Sequence, residues 1–144
     1  MSGLLLLTLQ MGLLLMLAWP WRTAGGAGYA WVLLLAGVAM GLWSLYANRP
    51  GNFNLRPDLK PNARLITTGP YAYVQHPMYV AVLLLGLGLV VLYLDWIKFL
   101  LWLLLFIILH LKSAMEERAL DARFAGYREY AGMTGRFFPK IRRA

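Results

Sequence analysis

The chain has 144 residues, 60% of them hydrophobic, with a mean hydropathy of +0.59 and only 14% charged side chains. This excludes an ordinary soluble domain, in which about 25% of residues are charged. Fourteen Lys and Arg stand against six Asp and Glu, a formal charge of +8, and the lack of cysteine excludes disulfides, thiolate metal sites and a thiol nucleophile.

Gly3 to Trp19 is apolar apart from Thr8 and Gln10 and predicts a first membrane-crossing helix. A cleaved signal peptide is the rival reading, but the positive n-region and an A-x-A site are missing. Tyr29 to Ala47 predicts a second helix, closed by "NRPGN". Asn48 to Pro61 holds three prolines and several turn residues, which predicts a loop lying on the membrane surface. Met78 to Leu94 and Trp96 to Leu111 predict the third and fourth helices. Each run is somewhat shorter than the usual ~20 residues. Flanking Trp19, Trp21, Tyr29, Trp43, Tyr46, Tyr93 and Trp96 stand where an aromatic belt is expected. Only Asp95 separates the last two runs, so they should form a tight helical hairpin. Leu111 to Tyr130 reads as a continuation of the fourth helix, with apolar or aromatic residues at 111, 115, 120, 124, 127 and 130, ended near Gly132 and Gly135.

Basic residues set the orientation. Arg49, Arg56, Lys60 and Arg64 precede the third run; Lys112, Arg118, Arg123, Arg128, Arg136, Lys140, Arg142 and Arg143 follow the fourth. Two crossings separate the groups, so both can face the cytoplasm, with Arg22 and Lys98 as exceptions. The expected fold class is all-α: a single domain over 1–144, an integral membrane bundle of four transmembrane helices with a cytoplasmic C-terminal helical extension. The expected location is a bacterial inner membrane with both termini cytoplasmic. The lipid bilayer is the expected partner and nucleic acid is not, because no zinc or RNA-binding signature accompanies the basic residues.

Polar residues near the membrane face are few. His76 and His110 are the only histidines, and Glu116 and Glu117 form the only acidic pair. On a continuous helix His110, Ser113 and Glu117 share a face, with Glu116 turned about 100° away. Two readings of the pair stand open: charges marking the exit from the membrane, or a functional site, the default for carboxylates near bilayer depth. His76 likewise reads as a helix cap before Pro77, which suits a first helical turn, or as a ligand-binding side chain. Gly86 and Gly88 signify close helix packing.

Taken jointly, "LITTGPYAYVQHPMY", "EERALDARFAGYREY" and "GRFFP" resemble the isoprenylcysteine carboxyl methyltransferase family, which belongs with the membrane phospholipid methyltransferases. Gly69, Tyr71, His76, Pro77 and Tyr79 match the first family motif; Glu116, Glu117, Leu120, Phe124, Tyr127, Tyr130, Arg136 and Pro139 match the second. The likeness covers residues 65–141. Three positions depart from it: Gln75 stands where an Arg is usual, Ala81 where a Gly is common, and Met133 where many relatives carry an Arg.

The resemblance implies an S-adenosylmethionine-dependent methyltransferase acting on a lipophilic or lipidated acceptor. It implies that the cofactor is enclosed by the third and fourth helices and the C-terminal segment. Glu116 or Glu117 would pair with the cofactor's ammonium, while His76, Tyr79 and backbone amides near Pro77 would bind its carboxylate. A helix N-terminus favours such an anion. Tyr71, Phe124 and Tyr127 would flank adenine, and Arg136 would orient an anionic group. Two other readings remain open: a non-catalytic membrane scaffold of the same fold, and a relative of the dinucleotide-dependent sterol reductases. The latter usually carry an acidic residue soon after the motif Tyr, where Val80 and Ala81 stand here. The methyl acceptor and the oligomeric state stay open.

Overall fold

The computed structural model describes residues 3–20, 25, 28–48 and 64–140. The expected surface loop over 49–61, with Arg49, Arg56 and Lys60, lies outside the described residues, as do Trp21, Arg22, Arg142 and Arg143. Five α-helices follow in order: α1 (Gly3–Ala18), α2 (Tyr29–Asn48), α3 (Pro77–Tyr93), α4 (Trp96–Arg123) and α5 (Tyr127–Met133), with a 3-10 turn, Gly69–Ala72, ahead of α3. Among the described residues there is no strand, only an isolated bridge between Val74 and Gly135.

The outward faces of the long helices are apolar, with Leu15, Val32, Leu35, Leu42, Leu100, Leu104 and Ile107 all exposed. Large contiguous apolar surface of this kind needs a non-aqueous neighbour. By length and composition α2 and α4 can each cross a membrane; α1 and α3, at 16 and 17 residues, are shorter.

α2 lies very close to α3. A Cβ at Gly37 would stand 2.8 Å from Leu85 Cγ and 3.0 Å from its backbone nitrogen, and one at Gly88 would stand 2.8 Å from Leu34 Cγ. Small residues let helix backbones approach where lipid offers no hydrophobic drive. α3 and α4 join through Leu94 and Asp95, as the single polar break predicts. Leu94 turns in the left-handed region (φ 47, ψ 45), and the Asp95 carboxylate caps α4 by accepting from the amides of Ile97 (2.7 Å) and Lys98 (3.2 Å). Trp102 crosses from α4 to α3, its indole N–H donating to Leu83 O at 2.8 Å. A buried indole requires such a partner.

α1 packs along α4 through Leu6, Leu13, Leu17, Leu105, Ile108 and Leu109. Two lysines of α4 tie this contact. Lys98, 0% exposed, donates to the terminal carbonyls of α1, Leu17 O (2.5 Å) and Trp19 O (2.8 Å). Cations at a helix C-terminus satisfy its orphan carbonyls and its dipole. Lys112, 2% exposed, donates to Gln10 Oε1 at 2.7 Å. Lys98 as an exception to the charge rule therefore has a structural cause. Lys112, counted among the basic residues after the fourth helix, is buried rather than solvated, because Gln10 faces it across the bundle.

α4 ends at Arg123, so the single helix expected to run through to Tyr130 is broken. Phe124 is extended and its amide closes α4 on Leu120 O (2.8 Å), while its carbonyl accepts from Tyr127 N (2.9 Å). Arg128 holds α5 back against α4 through two bonds to Asp121, 2.8 and 2.9 Å. The apolar spacing survived the break because the turn returns Tyr127 and Tyr130 to the buried side.

Candidate functional site

The segment before α3 is positioned by backbone and side-chain pairing with the C-terminal tail. Gly69, at φ 62, opens the 3-10 turn with Pro70 in its second position. Val74 then bridges Gly135, and the amides of Gln75 and His76 donate to Gly135 O (2.8 Å) and Arg136 O (3.2 Å). Gln75 also donates from Nε2 to Thr134 O (2.9 Å) and accepts from the Tyr127 hydroxyl (3.3 Å), while Tyr130 OH donates to Tyr71 O (2.8 Å). A neutral amide that both donates and accepts is suited to this staple, which an arginine, having no acceptor, cannot reproduce. A Cβ at Gly135 would collide with the Phe138 carbonyl, so glycine permits the tight turn that sends the tail back across the hairpin.

These pairings bring His76, at the head of α3, against the two glutamates of α4. His76, 6% exposed, has Nδ1 3.4 Å from Glu116 Oε2 and Nε2 3.1 Å from Glu117 Oε1. Tyr79 stacks on the imidazole (5.4 Å between centroids) and donates its hydroxyl to Glu116 Oε1. Arg136 grips Glu117 with two bonds of 2.6 Å, Nε to Oε1 and Nη2 to Oε2, and its Nη1 reaches His110 at 3.1 Å. The bidentate fork is the geometry in which guanidinium recognises carboxylate most strongly.

The electrostatics follow from these partners. Burial lowers the pKa of His76, but its hydrogen bonds and charge interactions with Glu116 and Glu117 outweigh this and raise it above the ordinary histidine value. Glu117 lies beyond the apolar 96–111 part of α4. Burial raises its pKa, yet the bonds from His76 and Arg136 prevail and hold it below the usual carboxylate range. Burial pushes the phenols of Tyr71 and Tyr130 up to about 12, so both remain neutral donors.

His76, Tyr79, Glu116, Glu117 and Arg136 thus form one cluster. Pro77 is fully buried beneath it. Tyr127 is buried and Tyr71 and Phe124 are partly so; the Tyr127 hydroxyl is engaged by Gln75. The backbone amides expected to bind a carboxylate are not available at Gln75 and His76, because the tail carbonyls occupy both. Ser113 is buried and donates to His110 O rather than to Glu117, and Arg136 is what links His110 with Glu117. Beside the cluster an open cleft of about 520 Å³ is lined by Glu117, Arg118, Asp121, Tyr127, Arg128 and Arg136, among others. Sequence reasoning missed Lys112, whose Nζ stands 5.3 Å from the Tyr79 ring centre, and Phe137, whose ring meets His76, Tyr79, Phe106 and His110. No local pattern marks either, since Lys112 meets Gln10 of α1 and Tyr79 of α3, and Phe137 reaches α3 and α4 from the returning tail. Among the described residues no cluster of His, Asp and Glu has the makings of a metal site.

The fold and this cluster define a helical membrane protein with a charged site at one end of a helical hairpin. A family comparison matches residues 26–126 to the phospholipid methyltransferases, and the chain belongs to that family. It is accordingly a membrane methyltransferase by descent. The matched region takes in His76, Tyr79, Glu116 and Glu117 and ends before Tyr127 and Arg136. No curated protein matches the chain.

Proposed function

We propose that this protein transfers a methyl group from S-adenosylmethionine to a lipophilic acceptor in the membrane, as the isoprenylcysteine carboxyl methyltransferase likeness implies. In this reading α1 to α4 all cross the bilayer and the His76 cluster lies at its cytoplasmic face. The observation that carries it is the position of His76 within 3.1 and 3.4 Å of two carboxylates from the far side of the hairpin. Such a pair, oriented from several sides, is suited to an ammonium group.

The residues fit the cofactor. The cleft beside Glu117 falls within the roughly 300–1,000 Å³ of ligand clefts. Glu116 and Glu117 would bind the amino group. His76 and Tyr79 fix Glu116, and Arg136 fixes Glu117, so Arg136 acts here first as a positioning residue. Tyr127 lines this cleft, whereas Tyr71 and Pro77 stand outside its lining and would contribute only from behind the cluster. When bound, the cofactor supplies a sulfonium-activated methyl group, which asks of the protein chiefly alignment with the acceptor. Holding two reactants in near-attack geometry is worth about 7–11 kcal/mol of barrier.

The test is incubation of the purified protein in nanodiscs with methyl-labelled S-adenosylmethionine and a total lipid extract. Label should enter an organic-soluble product, and Glu117→Gln should reduce it. A protein that binds neither S-adenosylmethionine nor S-adenosylhomocysteine supports instead the scaffold of the same fold.

A further inference from the structure

His76 stands between two carboxylates and shows each of them a different ring nitrogen. Nδ1 is 3.4 Å from Glu116 Oε2, and Nε2 is 3.1 Å from Glu117 Oε1. Neither carboxylate lacks other donors: Glu116 Oε1 accepts from the Tyr79 hydroxyl, and Glu117 accepts from Nε and Nη2 of Arg136. A neutral imidazole carries a single N–H, so it would turn a lone pair on one of these oxygens, whereas imidazolium presents an N–H to both. The geometry is therefore that of a protonated ring, and the raised pKa of His76 agrees with it.

The charges around this ring already balance. Imidazolium and the Arg136 guanidinium offset Glu116 and Glu117, while Lys112 of α4 adds a further cation 5.3 Å from the Tyr79 ring centre. On the tail side Phe137 closes the ring with an apolar edge, and His110 reaches the cluster through Arg136 Nη1 (3.1 Å). Among the described residues no other carboxylate interacts with His76. A ligand ammonium arriving beside Glu117 is thus a surplus positive charge, and a like charge within a few Å disfavours the protonated form of its neighbour.

We infer that His76 is the resting counter-cation of Glu116 and Glu117 and gives up its second proton when a ligand ammonium joins them. Neutral His76 keeps one N–H donor, and the carboxylate it no longer serves is left to the ammonium. The proton passes to water through the open cleft that Glu117 lines, where Arg118 and Arg128 offer cations to the ligand's carboxylate. Capture of the methyl donor is thereby coupled to pH: it tightens as pH rises through the folded pKa of His76 and levels off above it. The inference rests on the donor-binding reading proposed above, but not on the transfer step or the acceptor.

The full-length protein in nanodiscs is titrated with S-adenosylhomocysteine in a calorimeter at about pH 6, below the ordinary histidine value. Phosphate and Bis-Tris, which take up a proton with different heats, serve as the two buffers. The expected result is saturable binding whose heat depends on the buffer and corresponds to release of about one proton per ligand. Affinity should rise by up to about tenfold per pH unit toward the folded pKa of His76 and then level. His76→Gln, which retains hydrogen bonding without the charge, should bind with the same heat in both buffers and a flat pH profile. Saturable wild-type binding with equal heats overturns the inference and leaves the binding reading standing, since the imidazolium then faces the ligand's carboxylate instead. Absence of binding removes the reading and the inference together. Nitrogen NMR on isotope-labelled histidine checks the resting state without any ligand. The chain has only two histidines, and the His76→Gln spectrum assigns them. His76 should carry protons on both nitrogens at about pH 6 and on one after saturation with ligand. A singly protonated ring in the free protein overturns the inference.

Discussion

His76 Nε2 lies 3.1 Å from Glu117 Oε1, although the two residues are 41 positions apart. The contact exists because the α3–α4 hairpin returns the chain on itself and the tail carbonyls fix the backbone of Gln75 and His76. His76→Ala leaves two partly buried carboxylates without their shared partner. It should destabilise the protein by about 1.5–3 kcal/mol, the worth of a charged hydrogen bond. Thermal unfolding in one detergent compares it with wild type, and an unchanged midpoint counts against the coupling.

The same cluster sets a pH dependence. The raised pKa of His76 means its stabilisation is complete below the ordinary histidine value of about 6.5 and is lost as pH rises through the higher folded value. The depressed pKa of Glu117 means its share is present above the ordinary glutamate value of about 4.3 and is lost as pH falls through the lower one. The cluster is thus tightest between about pH 4.3 and 6.5. Unfolding midpoints measured against pH should decline on the alkaline side in wild type, and His76→Gln should flatten that limb. Parallel curves for the two proteins contradict the assignment.

The hairpin turn offers an opposed pair of substitutions. Leu94 sits at φ 47, which costs a non-glycine residue roughly 1–2 kcal/mol. Leu94→Gly should therefore hold or raise stability by up to about 1 kcal/mol. Asp95→Ala removes the cap on Ile97 and Lys98 and should lower it by about 0.5–2 kcal/mol. Thermal denaturation reads both, and equal signs would falsify the turn geometry.

Gln10 and Lys112 are coupled across the bundle at 2.7 Å. Gln10→Leu strands part of a buried ammonium and should cost about 1–3 kcal/mol. The double variant Gln10→Leu, Lys112→Leu should recover much of that, since apolar replacement of a buried polar pair is often neutral. A double-mutant cycle measures the interaction directly, and strict additivity rules the tie out.

The helices and the hairpin were legible because apolar runs and a single polar break are local signals. Asp95 alone announced the turn. The cluster was legible only as a joint pattern, since neither His76-Pro77 nor Glu116-Glu117 identifies a partner by itself. The break at Phe124 was hidden because residues 120, 124, 127 and 130 keep helical spacing while the backbone leaves the helix at Phe124. The partners of Lys98, Lys112, Gln75 and Phe137 were not legible for one reason: each is a group distant in the chain, and periodicity carries no information about such contacts. Gln75, a departure from the family motif, turns out to staple Thr134 and Tyr127.

The central claim is that Glu116 and Glu117, held by His76, Tyr79 and Arg136, bind the charged end of the methyl donor. Titration calorimetry with S-adenosylhomocysteine tests it most directly, on wild type, Glu116→Gln and Glu117→Gln in the same nanodiscs. Wild type should bind saturably, and each variant about tenfold to a hundredfold more weakly, as loss of a charged hydrogen bond requires. Undiminished affinity in both variants, or no heat from wild type at millimolar ligand, contradicts the claim.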